Sequence, residues 1–165
     1  MSGLAEGKGD KIREVEMGLP MVLILCTGNS ARSQMAEGLL RTRAGDRFEV
    51  ASAGTEPAAR VHPMAIEVMR EVGIDLGGAQ PKDIARFLGQ APVRHLIIVC
   101  HDAQGRCPSV WPGAISRVHW PIEDPAAFRG DPDSTRAKFR EVREELSRRL
   151  DQWLAEHSTT TAVRG

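Results

Sequence analysis

The apolar segment Met21-Val22-Leu23-Ile24-Leu25 runs directly into Cys26-Thr27-Gly28-Asn29-Ser30-Ala31-Arg32-Ser33, and a helical pattern begins at once after it. A buried strand that feeds a helix through so short a loop must be continued by a crossover, which commits the chain to an α/β architecture. The loop also has a chemistry. Backbone N–H groups in a tight turn at a helix N-terminus face an anion. Arg32 adds a planar fork able to grip two oxygens of an oxyanion. The same positive field is expected to lower the Cys26 pKa, so that a thiolate faces the anion. A merely buried cysteine at a strand end is the plainer alternative, but it explains neither the arginine spacing nor the helix. The oxyanion-binding residues are therefore Thr27, Gly28, Asn29, Ser30, Ala31, Arg32 and Ser33, with Ser33 a hydrogen-bond donor to Cys26 or else a helix cap.

Alternation continues along the chain. Residues 33–44 carry Met35, Ala36, Leu39 and Leu40 at helical spacing. Residues 48–53 read as a second strand. Pro63 opens a helix with Ile66, Met69 and Val72 on one face, ending at Gly73. Pro81 is expected to start a shorter helix through Leu88. Residues 94–99 form a third strand and 117–119 a short fourth. Ser134 is expected to cap a last helix reaching about His157, with Phe139, Val142, Leu146, Leu150 and Trp153 as its apolar stripe. Arg140, Glu141, Arg143, Glu144 and Arg148 read as its solvated, salt-bridged face. The expected fold is a three-layer α/β/α arrangement on a four-stranded parallel sheet, Rossmann-like, with sites at the carboxyl ends of strands. Cys26 and Cys100 both fall at such ends.

The length of 165 residues fits one domain: a flexible extension over 1–20, a catalytic domain over 21–157 and a flexible tail over 158–165. The 22 basic and 22 acidic residues balance, which gives no field for nucleic acid or an anionic membrane. No apolar run approaches the roughly 20 residues of a membrane span. Three cysteines without an apolar leader point to a reducing cytoplasm. A monomer with no bound metal or cofactor is expected.

Cys100-His101-Asp102-Ala103-Gln104-Gly105-Arg106-Cys107 is the second informative stretch. Structural zinc, with His119 as a further ligand, is one reading, although the cysteine spacing does not match common zinc patterns. Two unrelated thiols are another. A third is a relay in which a nucleophile and two resolving thiols pass a disulfide outward. In Glu123-Asp124-Pro125, Asp124 is either a proton donor to a leaving oxygen or simple turn chemistry. Asn29, Glu37 and Ser52 are candidates for a polar cluster beneath the loop.

Together these stretches resemble the thioredoxin-coupled arsenate reductases, which share the fold of the low-molecular-weight protein tyrosine phosphatases. Residues 22–38, Ser52-Ala53-Gly54, Glu71-Val72-Gly73-Ile74-Asp75, Cys100 with Cys107-Pro108, and His119-Trp120 with Asp124-Pro125 carry the resemblance. It implies that Cys26 attacks arsenate held by the loop and Arg32, with Asp124 assisting the leaving oxygen. It further implies a Cys26–Cys100 disulfide, then a Cys100–Cys107 disulfide reduced by thioredoxin as external reductant. Where some relatives complete a potassium site with an aspartate, this chain has Lys82, whose ammonium is expected to stand in for the cation. The alternatives are a phosphatase working through a Cys26 phosphocysteine, and a non-catalytic oxyanion or redox sensor.

Overall fold

A computed structural model describes residues 18–89, 92–100 and 111–164. Cys107 and nearly all of the proposed N-terminal extension lie outside the described residues. Four strands form one wholly parallel sheet: β1 (Met21–Cys26), β2 (Glu49–Gly54), β3 (Val93–Ile98) and β4 (Ser116–His119), in the order β2-β1-β3-β4. Every residue of β1 is buried, so both of its faces are covered; this is why its sequence is an unbroken apolar run rather than an alternation. The order in which strands are added reverses at β1, because β2 lies on one side and β3 on the other. The crevice beyond the carboxyl ends of β1 and β3 is thus the switch point of the sheet.

Among the described residues, three α-helices accompany it: α1 (Arg32–Ala44), α2 (Pro63–Arg70) and α3 (Pro132–Arg164). Phe139, Val142, Leu146, Leu150 and Trp153 of α3 are all buried, as their spacing requires. Other expectations need correcting. The segment after Pro81 forms a single 3-10 turn at Ile84–Arg86, not an α-helix: the Asp83 side chain accepts from Ala85 N, and Asp83 bridges to the end of β2 at Gly54. Asp131, not Ser134, caps α3, its Oδ1 accepting from Ser134 N at 2.7 Å with Pro132 in the first helical position. The helix continues to Arg164, past the expected end near His157.

The charged face of α3 does not only meet solvent. Arg140 and Arg143 both reach Glu71 after α2, and Arg143 also donates to Val68 O at 2.7 Å. Arg136 pairs with Glu67 at 2.8 Å. These arginines bind α2 to α3 and so fix the loop that α2 supports.

Two groups make the fold acid-sensitive. The arginines hold Glu71 well below its ordinary 4.5, at about 2, so stability from the pair is complete above pH 4.5 and lost as pH falls toward 2. His95, buried against Phe48 and Trp153, is lowered from 6.5 to about 4, chiefly by burial. The unfolded chain binds that proton first, so stability also declines from pH 6.5 to 4. Denaturant midpoints measured against pH should flatten over the lower window in Glu71→Gln and over the upper one in His95→Asn.

Candidate functional site

The loop between β1 and α1 turns its carbonyls outward. Cys26 O, Thr27 O, Gly28 O and Ser30 O accept from the N–H groups of Thr55, Glu56, Ala58 and His62, at 3.3, 2.9, 2.9 and 2.8 Å. A trans peptide points its N–H opposite to its C=O. The N–H groups of Thr27, Gly28, Asn29 and Ala31 therefore face the other way, and that of Asn29 meets Cys26 Sγ at 3.1 Å. The result is a nest of donors around the thiol at the start of α1.

Gly54 permits this closeness. A Cβ there would collide with Thr27 O and press within 3.0 Å of Asn29 N. Asn29 itself has φ of +50°, a conformation asparagine tolerates better than most residues. Its buried side chain is bonded at every polar atom. Lys82 N donates to Asn29 Oδ1 at 2.8 Å, and Gln34 Nε2 at 3.0 Å. A backbone N–H can only donate, so the oxygen is identified and the other end is the amide nitrogen. Asn29 Nδ2 then donates to Ser33 Oγ at 2.7 Å and Ser52 Oγ at 2.9 Å. Ser33 Oγ also shares a 2.7 Å hydrogen bond with Cys26 Sγ, in which the hydroxyl is the donor whenever Cys26 is a thiolate. Ser52 passes its hydrogen to Glu37 Oε1 at 2.7 Å.

Asn29, Glu37 and Ser52 thus form the expected polar cluster, and Ser33 is a thiol partner rather than a cap; α1 has no side-chain cap at its start. Glu37 also meets Arg41 at 3.0 Å and Lys82 Nζ at 3.5 Å. A cavity of about 640 Å³ borders Glu37, Arg41 and Lys82, on the far side of the network from the thiol.

The expected lowering of the Cys26 pKa is not the net outcome. Complete burial pushes the thiol above its ordinary 9.0, while the Ser33 hydroxyl, the Arg32 charge and the backbone N–H groups of Ser33 and Asn29 pull it down. Desolvation of a thiolate at this depth outweighs those attractions.

Arg32 is buried and reaches across the crevice. Its Nη1 donates to Ile122 O at 3.0 Å and Val99 O at 3.4 Å, and its Nη2 lies 3.6 Å from Asp124 Oδ2. The Asp124 carboxyl bears out the turn reading, Oδ1 capping a 3-10 turn at Pro125–Ala127 through Ala126 N at 3.0 Å, while Oδ2 faces Arg32. Cys100 lies just past the end of β3, buried, with Sγ 4.0 Å from Thr27 Oγ1 and 3.9 Å from Leu25 O. Thr27 and Leu25 are the two chain neighbours of Cys26.

Three residues of this neighbourhood make contacts that were not legible in the sequence, although the zinc reading includes His119. Gln34 is fully buried on α1 and locks Asn29; a polar side chain on the inward face of a helix was the available signal. His62 caps α2 through Nδ1, which accepts from Met64 N at 3.0 Å and so leaves the hydrogen of the neutral ring on Nε2. Burial holds its pKa below 6.5 against the pull of Asp124. His119 Nε2 donates to Cys100 O at 2.7 Å.

This loop geometry has counterparts in known proteins. Residues 21–162 match the model of the low molecular weight phosphotyrosine protein phosphatase family. The chain belongs to that family. An arsenate reductase of Bacillus subtilis is 40% identical over 135 residues, covering 81% of this chain and 94% of its own. A solved arsenate reductase in the phosphate binding state shares 34% identity with a TM-score of 0.68, covering 84% of this chain and 98% of its own. The thioredoxin-dependent arsenate reductase of Corynebacterium glutamicum shares 26% identity with a TM-score of 0.66, over 96% of this chain and 73% of its own.

Gly54→Ala tests the closeness of loop and strand. It should destabilise the chain by about 1–3 kcal/mol and weaken protection of Cys26 by phosphate against alkylation about tenfold. Thermal melts and alkylation rates check both.

Proposed function

We propose that this protein reduces arsenate to arsenite, using Cys26 as nucleophile and Cys100 as the second thiol. The observation that carries this reading is the burial of Cys100 Sγ against Thr27 and Leu25, the residues flanking Cys26. A phosphatase has no use for a thiol there. The names of the relatives at 40% and 34% identity support the same reaction.

In the proposed sequence, loop N–H groups and Arg32 bind the arsenate oxygens. The Cys26 thiolate, stabilised by Ser33, forms an S–As bond to arsenic(V). One oxygen leaves as water, with Asp124 supplying the proton. The Cys100 thiolate then attacks Cys26 Sγ. The electron pair of the S–As bond goes to arsenic, arsenite departs as arsenic(III), and a Cys26–Cys100 disulfide remains. Cys107 attacks Cys100, releasing the Cys26 thiolate and leaving a Cys100–Cys107 disulfide. An external dithiol of the thioredoxin type returns this disulfide to thiols, a role supported by the thioredoxin-dependent relative. Lys82, beside Glu37, is read as the cation of the polar cluster.

The family match favours one second reading: hydrolysis of a phosphomonoester through a Cys26 phosphocysteine, with Arg32 and Asp124 in the same positions. The two separate on Cys100. With thioredoxin, thioredoxin reductase and NADPH, arsenate should drive continuous NADPH consumption that falls to background in Cys100→Ser. No arsenate turnover, with equal aryl phosphate cleavage by both proteins, would establish the phosphatase instead.

A further inference from the structure

We propose that His119 is a positioning residue that holds the Cys100 main chain beside Cys26. The inference rests on the reading of Cys100 as the second thiol. β3 and β4 pair in register through Ile98 and His119, and Trp120 N donates to Ile98 O at 2.7 Å. In a parallel ladder the next rung would bring the N–H of residue 122 onto Cys100 O. Pro121 follows Trp120, where the chain leaves the sheet and β4 has already ended. The Cys100 carbonyl is met by a side chain: His119 Nε2 at 2.7 Å. A carbonyl oxygen only accepts, so this nitrogen carries the hydrogen.

The consequence lies in what stands on either side of Cys100. Val99 is tied to β1, its N–H donating to Leu25 O at 2.8 Å, and Val99 O accepts from Arg32. Ile98 is tied to Trp120. Cys100 comes one residue after these backbone anchors, with its thiol against Thr27 and Leu25 and its carbonyl on His119. A ladder bond there would have to be unzipped from the sheet each time Cys100 moved. The imidazole bond of an exposed histidine breaks alone, with water replacing the lost partner. His119 thus holds Cys100 for its attack on Cys26, the step that sends the S–As electron pair to arsenic. It also lets Cys100 go when its disulfide passes to Cys107.

The test uses the full chain, reduced, as wild type, His119→Ala and His119→Gln. Glutamine presents an amide N–H near the position of Nε2. Peptide mapping after timed iodoacetamide treatment gives alkylation rates for Cys100 and Cys26 separately. His119→Ala should raise the Cys100 rate about fivefold, as expected from loss of one hydrogen bond, and leave Cys26 unchanged; His119→Gln should restore the wild-type ratio. Equal Cys100 rates in all three proteins would overturn the proposal. So would a parallel rise at Cys26, which marks general loosening. The ratio decides this without arsenate, whereas absence of arsenite release by the wild type would count against the reductase reading alone.

Discussion

The orientation of one buried amide, that of Asn29, governs the site. Its oxygen is pinned by the Lys82 N–H and the Gln34 amide, so its nitrogen must donate to Ser33 and Ser52. With the Glu37 carboxylate, which only accepts, that choice sets the direction of the hydrogen bonds from Glu37 through Ser52 and Asn29 to Ser33. It also ties together the anion loop, α1, the end of β2 and the strand-like segment at Lys82. A buried polar network holds most firmly where its members are satisfied, which is the case at Asn29 but not at Gln34, whose Oε1 meets no hydrogen-bond donor among the described residues. At Asn29, both amide hydrogens and the oxygen are used. The left-handed backbone at Asn29 is held by these same bonds.

The sheet supplies the second constraint. Reversal of the strand order at β1 opens a crevice where β1 and β3 end, and each strand carries a cysteine to it. Arg32 closes the crevice from α1 by reaching Val99, Ile122 and Asp124. The segment after β3, the Ile122–Asp124 segment and the loop after β1 are therefore registered through one guanidinium. Substitution of Arg32 by lysine would keep the charge but lose this forked reach.

Much of this was readable beforehand, for definite reasons. An unbroken apolar run announced β1, and the Cys26–Arg32 spacing announced the nest after it. The five-member stripe of α3 survived intact, because helical periodicity reports burial directly. Errors arose where one local signal competed with another. Pro81 suggested a helix, but the Asp83 carboxylate and its bridge to Gly54 hold a single 3-10 turn. Ser134 and Asp131 are both good caps, and Pro132 in the first helical position decides for Asp131. The direction of the Cys26 pKa shift was misjudged because spacing reveals nearby charges but not depth of burial. The roles of Gln34 and His119 were not legible because Gln80 O and Cys100 O come from distant parts of the chain, and that of His62 because an imidazole cap on its own helix leaves no pattern in the sequence.

The central claim is that Ser33 donates to the Cys26 thiolate, and the pH dependence of Cys26 alkylation tests it most directly. In Ser33→Ala the thiolate loses its side-chain donor while the loop N–H groups and Arg32 remain. The account predicts a profile displaced upward by about one pH unit relative to wild type. Superimposable profiles would contradict it, and would mean that the Asn29 network orders the loop without acting on the thiol.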